Sequence, residues 1–174
     1  EWTSMQISII VTTYNNVDSI SKCLNSIKLF VKKIEKYVVK IVLVDDASTD
    51  NTPEILLEFS RAVSLTNLKK YKKNKGVSRS RNYGISHSLE TDYILFVDGD
   101  DEINPNLADN LNKSILRNDL YAFNFSIVGN KKEVQHNHLD AGLVFNDKSI
   151  SDYFFSYLSK PNKKSMFVAC WAKM

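Results

Sequence analysis

In Tyr93-Ile94-Leu95-Phe96-Val97-Asp98-Gly99-Asp100-Asp101, five apolar or aromatic residues run unbroken into three carboxylates grouped around a glycine. Such a run reads as a strand buried on both faces, and it delivers the acids to the strand's carboxyl end. In open α/β sheets that is where ligands bind. Carboxylates this close repel one another and need a compensating charge. A divalent cation held through oxygen supplies it, and Mg²⁺ or Mn²⁺ suits the residues better than zinc because no His or Cys is adjacent. A solvated acidic turn is the competing reading of these residues alone.

Upstream, strands and helices alternate. Residues 6–12 (QISIIVT) form a β-branched run, followed by a loop at 13–16 and a helix capped by Asp18. Ile20, Cys23, Leu24, Ile27, Phe30, Val31 and Ile34 recur at helical spacing and define its apolar face. A second strand at 38–44 runs into Asp45-Asp46-Ala47-Ser48-Thr49-Asp50. Thr52 and Pro53 read as N-cap and first turn of a second helix, with Ile55, Leu56, Phe59 and Val63 on its inner side. A short strand over 65–71 leads through a basic, glycine-broken segment (69–81) to a helix at 82–89. The pattern up to Asp101 is therefore βαβαβαβ, which implies an α/β fold with a mostly parallel, doubly wound sheet and helices on both faces. Beyond it, Asn104-Pro105 can start a helix carrying Leu107, Leu111 and Ile115. Strands are expected at 120–128, 140–145 and 166–174, a turn at 129–130 and a short aromatic helix at 151–158, so the sheet continues as a mixed one.

Composition narrows the function. A chain of 174 residues, 43% hydrophobic and 25% charged, suits one soluble domain with a sizeable core. A net charge of +3 is too small to argue for nucleic acid. No apolar run approaches the roughly 20 residues that span a bilayer, and the start lacks the pattern of a signal peptide. Residues 1–4, ahead of Met5, are set aside as foreign to the fold. Cys23 and Cys170 suggest neither a disulfide framework nor a zinc site; Cys23 is expected to be a buried reduced thiol, in keeping with a cytoplasmic protein. His87, His136 and His138 read as surface residues rather than metal ligands. Lys69, Lys70, Lys72, Lys73 and Lys75 read as a solvated loop, with a grip on phosphate or anionic lipid as the alternative. Tyr153, Phe154, Phe155 and Tyr157 read as core or interface, with stacking on a sugar as the alternative.

Four segments together carry a resemblance. Residues 9–15 (IIVTTYN), 41–52 (IVLVDDASTDNT), 74–84 (NKGVSRSRNYG) and 96–101 (FVDGDD) stand in the order and at the intervals of family 2 glycosyltransferases of the GT-A, Rossmann-like fold. The resemblance covers roughly residues 6–105. It implies a transferase that binds a nucleotide-sugar, UDP being the expected nucleotide, and passes the sugar with inversion to a glycan or lipid-linked acceptor. In that family Thr12, Thr13 and Tyr14 would line the nucleotide pocket and Asp46 would accept a hydrogen bond from the base, with Asp45 structural beside it. Gly76 would let the backbone approach the nucleotide, and Arg81 would sit by the acids or the ribose, or form a structural ion pair. Asp98-Gly99-Asp100 matches the Asp-X-Asp motif: Asp98 would face the ribose or metal waters, and Asp100 would ligate Mn²⁺ or Mg²⁺. Ser80 stands where the family more often has alanine. Trp171-Ala172-Lys173 resembles the segment before the acceptor-binding half, so residues 106–174 are expected to open that half of a truncated single domain, with the general base beyond residue 174. With a Lys-, Asn- and Ile-rich composition, the resemblance points to bacterial surface-polysaccharide synthesis, in the cytoplasm or at the inner membrane face through peripheral association.

Three other functions fit parts of the chain. Val44-Asp45-Asp46 fits the acidic pocket of a phosphate receiver, with Asp98 or Asp100 as the phosphorylated residue, but Lys173 is poorly placed for the lysine such a site needs. A non-catalytic module that binds nucleotide-sugar is the second. A nucleotidyltransferase is the third, and it lacks the expected glycine-rich turn after the first strand.

Overall fold

A computed structural model describes residues 5–113, 120–123, 125–128, 133–136 and 169–173. The alternation read from the sequence is present: β1 (Gln6–Thr13), α1 (Ile20–Lys33), β2 (Val38–Asp45), α2 (Thr52–Ala62), β3 (Thr66–Lys70), α3 (Val77–Ser86), β4 (Tyr93–Asp98) and α4 (Leu107–Lys113). Four short strands follow: β5 (Leu120–Phe123), β6 (Phe125–Val128), β7 (Glu133–His136) and β8 (Ala169–Lys173).

The strands form because their side chains have apolar layers to enter on both sides. Ile7, Ile9, Ile10 and Val11 of β1 are fully buried, as are Leu43 and Val44 of β2. The six-stranded sheet has the order β3-β2-β1-β4-β8-β5. Neighbours from β3 to β4 are parallel, and β8 is antiparallel to β4, so the sheet is mixed as expected. On one face α3 covers a cluster of Ile10, Val42, Val44 and Ile94, with Tyr83 and Ile85 packed on it. Gly84 makes this approach possible, because a Cβ there would fall 2.9 Å from Ile10 Cδ1. Elsewhere α1 packs against both α2 and α4. Its face is the predicted one: Ile20, Cys23, Leu24, Ile27 and Phe30 are buried.

The chain divides into two compact units, Glu1–Tyr121 with Cys170–Met174, and Ala122–Ala169. Within the second, β6 and β7 form an antiparallel pair.

Several element boundaries differ from expectation, each for a local reason. Ser19, not Asp18, is the N-cap of α1, because the Asn16 carbonyl takes the amides of Ser19 and Ile20 and leaves Asp18 outside the first turn. Asn51 caps α2 in place of Thr52; Thr52 instead donates its amide to Asp50 and accepts the Asn16 amide on Oγ1. Helix α3 begins at Val77, five residues before the expected start, since the Gly76 carbonyl already accepts the amides of Arg79 and Ser80. The single strand expected over 120–128 is two strands that belong to different sheets. The strand expected at 140–145, the helix at 151–158 and the helical position of Ile115 lie outside the described residues.

Candidate active site

Strand order locates the site before any side chain is considered. From β1 the chain proceeds outward to β2 and β3, then returns to place β4 on the other side of β1. The carboxyl ends of β1 and β4 thus flank a topological switch point, the usual crevice for ligands in such sheets. Thr12 and Asp98 are register partners there.

Asp98 is half-buried, and its carboxylate is held from two directions. Thr12 Oγ1 donates to Oδ1 at 2.9 Å. Arg81 Nη2 donates to both oxygens, at 2.9 and 3.0 Å. The two side chains of this ion pair are 39% and 43% exposed, so it contributes only about 0–1 kcal/mol to stability. Its effect is to fix the carboxylate. Arg81 also lies over Phe96, its guanidinium carbon 5.7 Å from the ring centre. Beside this pair, Arg81 Nε and Ser80 Oγ are buried with no hydrogen-bond partner.

Gly99 follows Asp98 and is buried against β1. A Cβ at this position would fall 2.6 Å from Thr13 Oγ1 and 3.2 Å from Asn16 Oδ1, so only glycine lets the turn close on the Thr13 side chain. Its amide donates to the Thr12 carbonyl at 2.9 Å. Asp100, Asp101 and Glu102 are exposed beyond it. Although Asp101 reaches solvent, partial loss of hydration at its carboxyl, then the charges of Asp100 and Asp98, push that group above its ordinary range. Behind the turn, Cys23 Sγ donates to the Asp98 carbonyl at 3.7 Å. Burial, followed by the charges of Asp101, Glu102, Asp100 and Asp98, pushes that thiol up to about 12. Cys23 is thus a neutral, buried thiol, as expected from its place on α1.

At the end of β2 the two adjacent acids behave differently. Asp45 is fully buried and accepts both the amide and the hydroxyl of Ser48, a structural role as expected. Asp46 accepts the amides of Lys75 and Gly76, each at 2.7 Å on its own oxygen. It thereby clamps the loop that opens α3, and Gly76 takes φ 85° and ψ 154° there. Each carboxylate oxygen has a second lone pair in reserve. Thr12 and Thr13, the last two residues of β1, are buried, with their hydroxyls engaged inside the protein, while Tyr14 in the loop beyond is 46% exposed.

The structure therefore brings Thr12, Thr13, Gly99, Asp98 and Arg81 together, and places Asp46 with Gly76. An open cleft of about 470 Å³ lies at the ends of β2 and β3, lined by Ala47, Ser48, Thr49, Lys70, Tyr71 and Lys72. Lys69 and Lys75, read as solvated, rest their ammonium groups over Tyr71, 5.6 and 4.7 Å from its centre. His87 is exposed, as expected, and stacks on Tyr83 at 3.9 Å. No group of three or more His, Cys, Asp or Glu residues that could hold a metal occurs among the described residues. The donors at the turn are nonetheless the hard carboxylate oxygens that suit Mg²⁺ or Mn²⁺. Such ions are usually held by one or two carboxylates, with phosphate oxygens from the substrate completing the set. Asp98 and Asp100 fit that requirement.

Sequence reading missed the residues that fix the loops. Asn15 donates its amide to Ser48 Oγ and accepts the Thr49 amide, and Asn16 is bonded to Thr13, Tyr14 and Thr52. Consecutive asparagines directly after a strand are a turn signal that could have pointed to them.

Residues 8–173 match Glycosyl transferase family 2. Among curated relatives, the glycosyltransferase GlyA of Streptococcus pneumoniae is 29% identical over 97% of this chain and 24% of its own length. The poly(ribitol-phosphate) beta-N-acetylglucosaminyltransferase TarS of Staphylococcus aureus is 35% identical over 58% of this chain and 17% of its own. Among solved structures, S. aureus TarS 1-349 in complex with UDP-GlcNAc superposes with a TM-score of 0.52 at 30% identity, covering 61% of this chain and 30% of that one. The chain spans about a quarter or less of these curated relatives' length.

Proposed function

This chain belongs to glycosyl transferase family 2, and from that premise we propose that it carries the donor site of an enzyme that transfers a sugar from a UDP-sugar to a glycan or lipid-linked acceptor. Membership sets aside the receiver and nucleotidyltransferase readings. The observation that carries the proposal is the convergence of Thr12, Arg81 and Gly99 on one acidic turn at the switch point of the sheet. The UDP-GlcNAc bound by the TarS relative supports the choice of nucleotide.

In this reading residues 6–105 form the nucleotide-sugar-binding part and 106–174 open the acceptor side. Tyr14 presents its exposed ring to the nucleotide, and Thr12 and Thr13 back it from beneath. The free lone pairs of Asp46 accept from the base, next to the backbone of Gly76. Asp98 and Asp100 would hold Mn²⁺ or Mg²⁺. A divalent cation, when bound there, stabilises the negative charge that the diphosphate gains as the bond to the anomeric carbon breaks. Arg81 keeps Asp98 in register in the absence of ligand. Transfer is a single inverting displacement, so the acceptor hydroxyl must lose its proton to a base within hydrogen-bond reach; we place that base beyond residue 174. No described helix is long and apolar enough to cross a membrane, and we place the protein in the cytoplasm, in peripheral association with the membrane.

Calorimetric titration of UDP in Mn²⁺ and in EDTA, with wild type and Asp100→Ala, tests the donor site. Binding that needs Mn²⁺ and is lost in Asp100→Ala is the expected result. Binding indifferent to both would remove the metal from the reading, and no binding in either buffer would overturn the donor site itself.

A further inference from the structure

From Lys69 to Lys75 the chain carries five lysines in seven positions, with Arg79 close behind and no acid before Arg81. Lys70, Lys72, Lys73, Lys75 and Arg79 are exposed. Among the described residues the ion pairs are Lys33–Asp109, Lys40–Glu90 and Arg81–Asp98, so the tract is neutralised by none of them. Lysine in an edge strand guards against pairing with other chains, and β3 stands at one end of the sheet order. That accounts for Lys69 and Lys70, inside β3, but not for the three lysines that follow it. The loop is also fixed in place. The Tyr71 amide donates to the Asp45 carbonyl at 2.9 Å, and Lys75 and Gly76 donate theirs to the Asp46 carboxylate. Tyr71 packs against the cluster that α3 covers and meets Tyr83 edge-on, the ring centres 6.2 Å apart. Lys72 and Lys73 thus stand exposed on a loop pinned at both ends, which lowers the ordering cost of binding. Val77, just past the loop, is 48% exposed.

We propose that residues 69–79 are the surface by which this chain docks on an anionic lipid bilayer, with Lys70, Lys72 and Lys73 as its main contacts. The chemistry of the tract favours a lipid surface over other anions. Lysines are mobile point charges that suit a diffuse layer of headgroups, whereas the arginine fork is what picks out one particular phosphate. Single-stranded nucleic acid is held by stacking its bases on aromatic faces. Tyr71, alone in the lysine tract, already carries the ammonium groups of Lys69 and Lys75 over its ring. An exposed valine among cations adds an apolar foothold at the headgroup boundary. Because the strands from β3 to β4 are parallel, the tract and the acidic turn follow strand ends at the same edge of the sheet. A bilayer that holds the tract lies on the side where the donor site opens, and an acceptor carried by lipid is delivered there. That consequence rests on the donor-site reading above; the docking itself does not.

Co-sedimentation with vesicles, without nucleotide or divalent cation, tests the docking surface. The chain should bind vesicles of equal parts phosphatidylglycerol and phosphatidylcholine and ignore pure phosphatidylcholine; no binding to the anionic vesicles would overturn the proposal. Each lysine held near an anionic surface is worth about fivefold in binding, so Lys70→Gln, Lys72→Gln and Lys73→Gln together should weaken it by about a hundredfold. Lys22→Gln, Lys28→Gln and Lys32→Gln together remove the same charge from exposed positions of α1, which packs on α2 and α4. Screening should hold the cost of that second triple to about threefold or less. Equal losses in the two triples would show that net charge alone matters and would overturn the surface. So would binding that survives about 1 M salt, where charges act over only about 3 Å. Inorganic polyphosphate bound as tightly, per phosphate, as the vesicles would assign the tract to a soluble polyanion and overturn the bilayer as its partner. UDP titration reads the donor site separately: wild type that takes UDP but not vesicles refutes the docking alone, and the reverse refutes the donor site alone.

Discussion

Asp101 shows how the acidic turn is balanced at the scale of one side chain. Its carboxyl, only partly stripped of water, is pushed up first by that loss of hydration and then by Asp100 and Asp98. The folded chain therefore keeps this proton at a pH where the unfolded chain has released it. Stability from the retained proton is present at low pH and is lost as pH rises through the raised value. Asp101→Asn removes the repulsion at every pH. Measured in EDTA, it should melt higher than wild type at pH 7, and the gain should vanish as pH falls below the ordinary carboxylate range. A gain that persists in acid would show that packing, not charge, is responsible. Added cation should shrink the variant's advantage over wild type by neutralising Asp100 and Asp98.

At the scale of the element, α3 is the instructive case. Its start is set by Gly76 at φ 85° and ψ 154°, held there by the Asp46 carboxylate. No atom lies within 4 Å of where a Cβ would be, so Gly76→Ala meets no clash. It should still destabilise by about 1–3 kcal/mol, because that backbone region belongs to glycine. Urea unfolding checks the value; a neutral substitution would mean that the loop relaxes elsewhere. The same helix explains what the sequence did and did not disclose. Strands β1, β2 and β4 were legible because an apolar, largely β-branched run has few other places to go. Val77-Ser78-Arg79-Ser80-Arg81 carries no apolar period, and its helical start is dictated by an aspartate some 30 positions away in the chain. Asp98, Asp100, Asp46 and Arg81 stand out as candidates through the motifs they stand in. Asn16 does not, because its role consists of hydrogen bonds whose partners only the fold identifies. The split between β5 and β6 was hidden for a similar reason: nothing in a continuous run of strand-forming residues says that its halves join different sheets.

For the molecule as a whole, ligand binding should appear as stability. If UDP and Mn²⁺ bind only the folded chain, UDP at 100 times its Kd adds about 2.7 kcal/mol, which raises Tm by roughly 5–10 °C for a chain of this size. Scanning fluorimetry should show that shift with UDP and Mn²⁺ together and a much smaller one with either alone. Equal shifts for UDP with and without Mn²⁺ would argue that the acidic turn does not take part. The net charge of +3 hides an uneven distribution. Lys69 to Lys75 lie at and beyond the end of β3, and the acids lie at and beyond the end of β4, on either side of β1 and β2. An anionic nucleotide meets attraction from the first group and a cation meets it from the second.

The central place of β1 also has a bearing on birth at the ribosome. β1 is made before β2 and β4, yet it lies between them, and Thr12 bonds to a carboxylate 86 positions later. During synthesis at about 5–20 residues per second, one flank of a strand that is almost wholly buried in the folded chain stays open for seconds until β4 emerges. Nascent chains of this protein are thus most in need of chaperone cover in that interval, and the acidic turn is among the last parts of the parallel sheet to be assembled.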